Sequence, residues 1–210
     1  EEKSSLLFFT FLYFPRTTVI DKSSNCMLMT KIYNSALYIF CLLSLAFKPV
    51  FAQEIEWEKT IGGSGTDELF SLKQTSDGGY ILGGFSTSNI SGDKTENSHG
   101  DNDYWIVKLD VDGDVEWQKS LGGSEDDGAQ SIQQTTDGGY IIAGTSQSND
   151  NDVTGNHGFY NSYGNLINTN DYWIVKLSND GSLVWQKSFG GTEDDQANSV
   201  LQTTDGGFIV

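Results

Sequence analysis

An internal repeat constrains the fold of this sequence more than any other feature. Residues 171–191 repeat residues 103–123 almost word for word, and a shorter copy occupies residues 54–63. The three copies align on one tryptophan each, at Trp57, Trp117 and Trp185, with spacings of 60 and then 68 residues. The eight extra residues all fall between Gly144 and Asp171. Loops absorb changes in length and regular elements do not, so this long period predicts an array of similar structural units.

Each unit predicts four short strands. In the second copy they cover residues 129–135, 140–144, 172–177 and 183–189. Asp-Gly-Gly joins the first two strands and Asn-Asp-Gly joins the last two, and glycines in such turns adopt positive φ at no steric cost. The apolar runs are rich in β-branched and aromatic residues, as strands are.

The distribution of apolar residues favours stacked sheets over a two-layer sandwich. Tyr140-Ile141-Ile142-Ala143 is apolar on both faces, which requires cover on both sides. In the last strand, Val115, Trp117, Lys119 and Leu121 alternate with polar residues, so we expect an outermost strand with one wet face. The fold class predicted is all-β, with four-stranded antiparallel blades forming a partial β-propeller of about two and a half blades.

The repeats divide the chain into segments. Residues 64–123 and 124–191 are predicted blades, and residues 192–210 begin a third, truncated blade. Residues 53–63 contain a fourth-type strand at 56–60, and we expect it to close the ring with strands beyond Val210. The last apolar run stops at Val210 inside a predicted strand, so we expect further chain after it.

The N-terminal part predicts export. Residues 29–52 have a lysine near their start, an apolar run at 36–46 and a small-residue site at 50–52, the pattern of a cleaved signal peptide. The uncharged run of 32–47 is shorter than the ~20 residues of a membrane-spanning helix, which favours a signal peptide over an anchor. Residues 1–28 are interpreted as an upstream over-extension. The predicted location is secreted or on the outer cell surface, with no transmembrane segment after cleavage.

Charge and cysteine usage exclude several functions. Residues 53–210 contain 26 Asp and Glu, 7 Lys and no Arg, a net charge of −19. Nucleic-acid binding needs a basic surface, so it is excluded, and anionic membranes are disfavoured. Both cysteines, Cys26 and Cys41, precede the predicted cleavage site, which leaves the mature part without disulfide or thiol chemistry.

Strand parity places the loops. The loops that follow the Gly-Gly pairs (62–68, 122–127 and 190–195) share one face of the blades with the long loops at 86–103 and 145–170. We call this the acidic face, because Asp and Glu recur in these loops. The loops of the acidic face vary in length and composition, whereas the turns on the opposite face are uniform. A ligand is therefore expected on the acidic face.

Several residues of these loops are candidate ligand-binding groups. Asp67, Asp127 and Asp195 occupy the same place in all three copies, as a carboxylate ring for calcium or a polar ligand would; recurrence in every blade favours a structural cap on loop amides. Glu125 and Asp126 could imitate a glycosidase carboxylate pair, but adjacent residues do not span a cleft, which favours solvated charge.

Other candidates have plainer interpretations. Asp110, Asp112 and Asp114 resemble a calcium loop, but the next copy has Ser178, Asp180 and Ser182 there, which favours a hairpin turn. His99 and His157 align in the long loops and are expected to be exposed polar residues. Trp105 and Trp173 are expected to pack between blades rather than stack on sugars.

The repeat resembles known families. Asp-x-x-Gly-x-x-x-Trp at 110–117 is similar to the tryptophan-docking motif of PQQ-type β-propellers; residues 178–185 keep the spacing with Ser in place of Asp. The whole unit resembles the repeats of large secreted proteins of Bacteroidota that are exported by type IX secretion. That resemblance implies an exported propeller and does not assign an activity.

Three classes of function remain open. The first is a non-catalytic surface module that binds glycans or surface proteins. The second is an accessory domain of a secreted polysaccharide-degrading enzyme, or a PQQ-type dehydrogenase-like propeller, and the sequence leans against catalysis. The third is a structural spacer. Calcium is a cofactor expectation that rests on acidic loops in an exported chain without disulfides.

Overall fold

The computed structural model describes residues 57–210, which form only strands, turns and loops. Within this part of the chain there is no helix, and hence none of the length and apolarity needed to cross a membrane. The predicted signal peptide, the segment before it and the first residues of the 53–63 segment lie outside the described residues. The predicted all-β class is confirmed.

The first blade is a four-stranded antiparallel sheet in the order β1-β2-β3-β4. Its strands are β1 (Asp67–Gln74), β2 (Tyr80–Ser86), β3 (Asp103–Leu109) and β4 (Val115–Leu121). Each strand pairs with the next one in the chain, so the sheet is a simple meander.

The second blade repeats this sheet, and the inserted residues form a separate hairpin. Its strands are β5 (Asp127–Gln134), β6 (Tyr140–Ser146), β9 (Asp171–Leu177) and β10 (Leu183–Phe189). The small hairpin β7 (Phe159–Tyr160) and β8 (Leu166–Ile167) lies in the long loop between β6 and β9. A third unit begins with the short pair β11 (Leu201–Gln202) and β12 (Phe208–Ile209). The described sheets do not close into a ring.

Glycines set the tight turns where the sequence places them. Gly78 and Gly138, in the first hairpin of each blade, have φ of 89° and 83°. Gly113 and Gly181, in the second hairpin, have φ of 81° and 82°. Most side chains avoid this left-handed region, which explains why the same glycine recurs in each copy.

A buried lysine joins the two hairpins of each blade. Lys108 Nζ lies 3.0 Å from the Asp77 carboxylate in the first turn and 2.8 Å from Glu116. In the second blade, Lys176 lies 3.1 Å from Asp137. In each blade, the lysine of the third strand, β3 or β9, therefore connects that strand to the turn between the first two strands.

The core lies between the blades. Tyr104 and Ile106 of β3 point toward the second blade, where they pack on Trp173, Val175 and other residues of one buried cluster. The ring centroids of Tyr104 and Trp173 are 4.5 Å apart, and Tyr104 Oη donates to the Trp173 carbonyl. The second blade is therefore apolar on both faces, as the sequence predicted, because it packs on the first blade on one side and on the third unit on the other.

Each repeated tryptophan docks on the following blade. Trp117 of β4 contacts Tyr140 edge-on at 5.6 Å and donates its indole N–H to the carbonyl of Asn179. A Cβ on Gly181 would lie 2.9 Å from the Trp117 ring, so only glycine allows this contact. Trp57 meets Tyr80 in the same way at 5.7 Å, one blade earlier.

One expectation about the fourth strand is corrected. Gln118 and Ser120 of β4 were expected on a wet face, yet both are buried. The long loop covers that face, since Gln118 accepts hydrogen bonds from Trp105 Nε1 and Thr95 N and donates to the Asp93 carbonyl. Residues 57–60 pair with none of the described strands, and the predicted pairing with strands beyond Val210 stays a prediction.

Candidate functional site

The three recurring aspartates cap the loops after the Gly-Gly pairs. The Oδ2 atoms of Asp67 and Asp127 each accept the amide of the second glycine, Gly63 or Gly123, at 2.7 Å. Asp195 accepts the amide of Gly191 at 2.8 Å. These contacts are those of a structural cap on loop amides, and they direct the carboxylates toward the backbone of their own loops.

Two further aspartates, which the sequence analysis did not single out, join them. Asp103 and Asp171 open the third strand of each blade and are fully buried. In register, Asp67, Ser86 and Asp103 stand side by side in the first blade, as Asp127, Ser146 and Asp171 do in the second. We call the five aspartates 67, 103, 127, 171 and 195 the carboxylate row. The sequence signal for Asp103 and Asp171 is the Asp that precedes Tyr-Trp in both copies.

Glycine allows the row to pass from one blade to the next. A Cβ at Gly122 would lie 2.6 Å from Asp127 Oδ2 and closer still to Asp103 Oδ1. A Cβ at Gly190 would lie 2.8 Å from Asp195 Oδ2 and closer to Asp171 Oδ1. Gly122 and Gly190 thus each lie between a carboxylate of their own blade and one of the following unit.

Burial shifts the acidity of this row. The pKa of Asp127 is raised to about 6, chiefly by burial and also by the nearby Asp103 carboxylate, against the hydrogen bonds from the Gly123 amide and the Ser148 hydroxyl. Burial also raises the pKa of Asp103, although the His99 amide and the Ser98 hydroxyl oppose it. Burial therefore disfavours the negative charge of Asp103 and Asp127.

The two aligned histidines contact this row rather than solvent alone. The backbone amide and Nδ1 of His157 lie 2.9 and 2.7 Å from Asp171 Oδ2. The His99 amide bonds to Asp103 Oδ2 at 2.5 Å, and its Nδ1 lies 3.7 Å away. Both rings are partly exposed, as expected, but each has a fixed carboxylate partner that the sequence did not reveal.

The Asp110, Asp112 and Asp114 triplet forms a hairpin turn. Asp110 Oδ1 accepts the amides of Asp112 and Asp114 at 3.0 and 2.8 Å. The Asp114 carboxylate pairs with Lys59 at 2.7 Å and is mostly exposed. No group of three or more His, Cys, Asp or Glu side chains within residues 57–210 is arranged to hold a metal ion.

Glu125 and Asp126 are exposed residues of the loop at 122–127. The Glu125 amide bonds to Ser148 Oγ at 3.0 Å. Asp126 Oδ1 accepts Asn102 Nδ2 at 2.5 Å, and the pair Asp194 and Asn170 repeats this contact one blade later. Asp126 therefore bridges two blades through an asparagine while it stays open to solvent.

A cleft opens beside this bridge, on the side of the innermost strands. We call it the junction cleft; its volume is about 230 Å³, and it is lined by Phe70, Phe85, Asn102, Asp126, Asp127, Gly128, Gln130, Thr145, Gln147 and Asn170. Phe70 occupies the bulge of β1, which turns its ring outward, and it is 46% exposed. The equivalent bulge residue in β5 is Gln130. The aromatic pair therefore belongs to the first blade alone.

A larger apolar cleft of about 370 Å³ lies on the outer face of the first blade. Its lining includes Trp57, Leu72, Leu82, Trp105 and Val107. The residues at the same strand positions in the second blade, among them Trp173 and Val175, pack against the first blade. This cleft is therefore a stacking face of the repeat, and its size reflects that role. Trp173 packs between the two blades, as predicted, whereas Trp105 is buried on the outer face of the first blade and lines this cleft.

No protein-family model and no curated protein matches the chain. The resemblance to secreted repeat proteins therefore stays an expectation. The assignment of function rests on the junction cleft.

Proposed function

We propose that this chain is an exported, non-catalytic repeat module that binds glycans in the junction cleft. The observation that carries the proposal is the pair of Phe70 and Phe85 at the mouth of a cleft rimmed with amides and one open carboxylate. The two ring centroids are 5.8 Å apart and the rings are tilted by 39°. Secretion or surface display is proposed together with the binding role. The sequence predicts export through a signal peptide and a ligand on the acidic face.

The chemistry of the cleft suits a sugar. A pyranose ring has an apolar face of C–H groups and an edge of hydroxyls. The exposed Phe70 ring offers an apolar platform, while Asn102, Asp126, Gln130 and Asn170 offer donors and acceptors around it. Binding sites of this kind combine aromatic walls with a few placed polar groups.

The charges narrow the class of glycan. The acidic face repels anions, and Asp126 is an exposed carboxylate at the rim of the cleft. Neutral glycans, or those with amino groups, are therefore favoured over sulfated or uronic ones. Asp127, the second carboxylate of the lining, is buried and capped by the Gly123 amide, which leaves Asp126 as the one carboxylate of this lining open to a ligand.

A glycan array with the full chain tests the proposal. The variant Phe70→Gln copies the residue of the second blade at this place, so it suits the fold. We expect it to lose roughly two- to tenfold in affinity, because an aromatic contact of about 0.5–1.5 kcal/mol is removed. The control Tyr163→Ser removes an 88% exposed ring from the inserted hairpin and should bind as the wild type does. No bound glycan, or equal binding by Phe70→Gln, would refute the proposal.

A further inference from the structure

The two blades differ at one buried position beside the carboxylate row, where the first has Lys94 and the second has Val153. Their backbones are placed alike. The Lys94 amide donates to the Ser91 carbonyl, and the Val153 amide donates to the Asp150 carbonyl, both at 2.9 Å. Both side chains are buried, with relative exposures of 1% and 0%. Lys94 and Val153 are therefore structural equivalents.

In the first blade, this lysine brings a positive charge into the row. Lys94 Nζ donates to Ser86 Oγ at 3.0 Å, and Ser86 Oγ donates to Asp67 Oδ1 at 2.5 Å. Burial lowers the pKa of Lys94, while the carboxylates of Asp103 and Asp67 raise it. The ammonium lies within the field of both carboxylates that flank Ser86.

In the second blade, the valine leaves the same place without charge. Asp127 and Asp171 flank Ser146 in the register in which Asp67 and Asp103 flank Ser86. Both aspartates are at most 1% exposed, and the Oδ1 atom of each has no hydrogen-bond partner. A buried carboxylate oxygen without a partner carries a large desolvation cost.

Unpartnered oxygens concentrate in this blade. Within residues 57–210, five buried side-chain oxygens lack a partner, and four of them belong to the second blade: Asp127 Oδ1, Asn168 Oδ1, Thr169 Oγ1 and Asp171 Oδ1. The fifth, Asp103 Oδ1, lies against Gly122 in the first blade, as its counterpart Asp171 Oδ1 lies against Gly190 in the second. All five are oxygen atoms, the ligands preferred by hard cations.

We propose that a calcium ion takes, in the second blade, the place that the Lys94 ammonium takes in the first, bound by the side-chain oxygens of Asp127, Asp171 and Ser146. Two carboxylates balance the charge of one divalent ion. The shorter valine frees the space that the lysine stem and its ammonium occupy in the first blade. Asp127 also lines the junction cleft, but its carboxylate is buried, so calcium binding at this site does not require a bound glycan.

The test is calcium titration of the full chain by calorimetry, with melting temperatures measured in excess calcium and in chelator. The wild type is expected to bind one buried calcium and to melt higher in calcium, because a ligand of the native state stabilises it. Val153→Lys supplies the ammonium from the chain itself. It should lose this calcium and should melt higher than the wild type when both are in chelator.

Val184→Lys is the matched control, because it adds the same charge at a residue that is 58% exposed. It should keep the calcium of the wild type, which separates the site from loose binding to acidic loops. If Val153→Lys does not fold, Asp171→Asn provides the second variant, with an expected tenfold or larger loss of calcium affinity. Equal melting of the wild type in calcium and chelator would overturn the proposal, as would unchanged calcium binding in the folded variants at 153 or 171.

Discussion

Replacement of Gly122 by alanine tests whether the carboxylate row is packed as the structure shows. The new Cβ would lie 2.6 Å from Asp127 Oδ2 and closer to Asp103 Oδ1, well inside ordinary contact distance. One carboxylate must move to relieve this overlap. Asp127 Oδ2 would then weaken its bonds from the Gly123 amide at 2.7 Å and from Ser148 Oγ at 2.9 Å.

The expected cost of Gly122→Ala follows from these contacts. Overpacking of a dense interior costs about 1–3 kcal/mol, and hydrogen bonds to a charged acceptor contribute about 1.5–3 kcal/mol each. Partial loss of either bond adds to the steric term, so the free energy of unfolding should fall by roughly 2–4 kcal/mol.

The matched control is Gly128→Ala, in strand β5 a few residues away. A Cβ there meets only Thr145 Oγ1, at 4.0 Å, so no atom has to move. Alanine lowers the entropy of the unfolded chain, and the variant should be unchanged or more stable by up to about 1 kcal/mol. Urea unfolding of the full chain measures both changes. The reasoning fails if Gly122→Ala is as stable as the wild type, or if both alanines destabilise equally.

Two further substitutions test the packing and the turns. Trp117→Ala removes the ring that docks on Tyr140 and Gly181, so the free energy of unfolding should fall by about 3 kcal/mol, with a smaller loss for Trp57→Ala, whose ring is 40% exposed; equal losses in urea unfolding would contradict this. The pKa of Asp137 is lowered to about 2, chiefly by the Thr135 hydroxyl and then by the Gly139 amide and Lys176. Because its pKa is lowered, Asp137 stabilises the fold when the pH is above the ordinary pKa of 3.8. This contribution disappears as the pH falls through about 2. The stability difference between wild type and Asp137→Asn should therefore be present at pH 5 and shrink toward pH 2, and a difference independent of pH would refute that assignment.

Much of the fold was predictable because its determinants are local. The Asp-Gly-Gly and Asn-Asp-Gly turns, the two-sided apolar strands and the recurrent tryptophan each specify their own geometry. The second strand of each blade runs to Ser86 or Ser146, beyond the predicted apolar run, because the serine pairs with aspartates on both sides. Polar residues extend these strands, and hydrophobic periodicity does not detect them.

The site was harder to predict because it depends on contacts between distant residues. The long loop covers Gln118 and Ser120, which an alternating pattern alone assigns to a wet face. His157 Nδ1 contacts the Asp171 carboxylate across a 14-residue separation that includes the inserted hairpin. The Phe70 ring turns outward because β1 has a bulge there, and a bulge shifts the faces of a strand without a clear sequence signal.

The structure of the full chain in complex with the glycan that binds best tests the central claim most directly. The account predicts the sugar ring on Phe70, with its hydroxyls bonded to Asn102 or Asp126 in the junction cleft. A glycan seated elsewhere, for example on the Trp57 and Trp105 stacking face, would contradict the account.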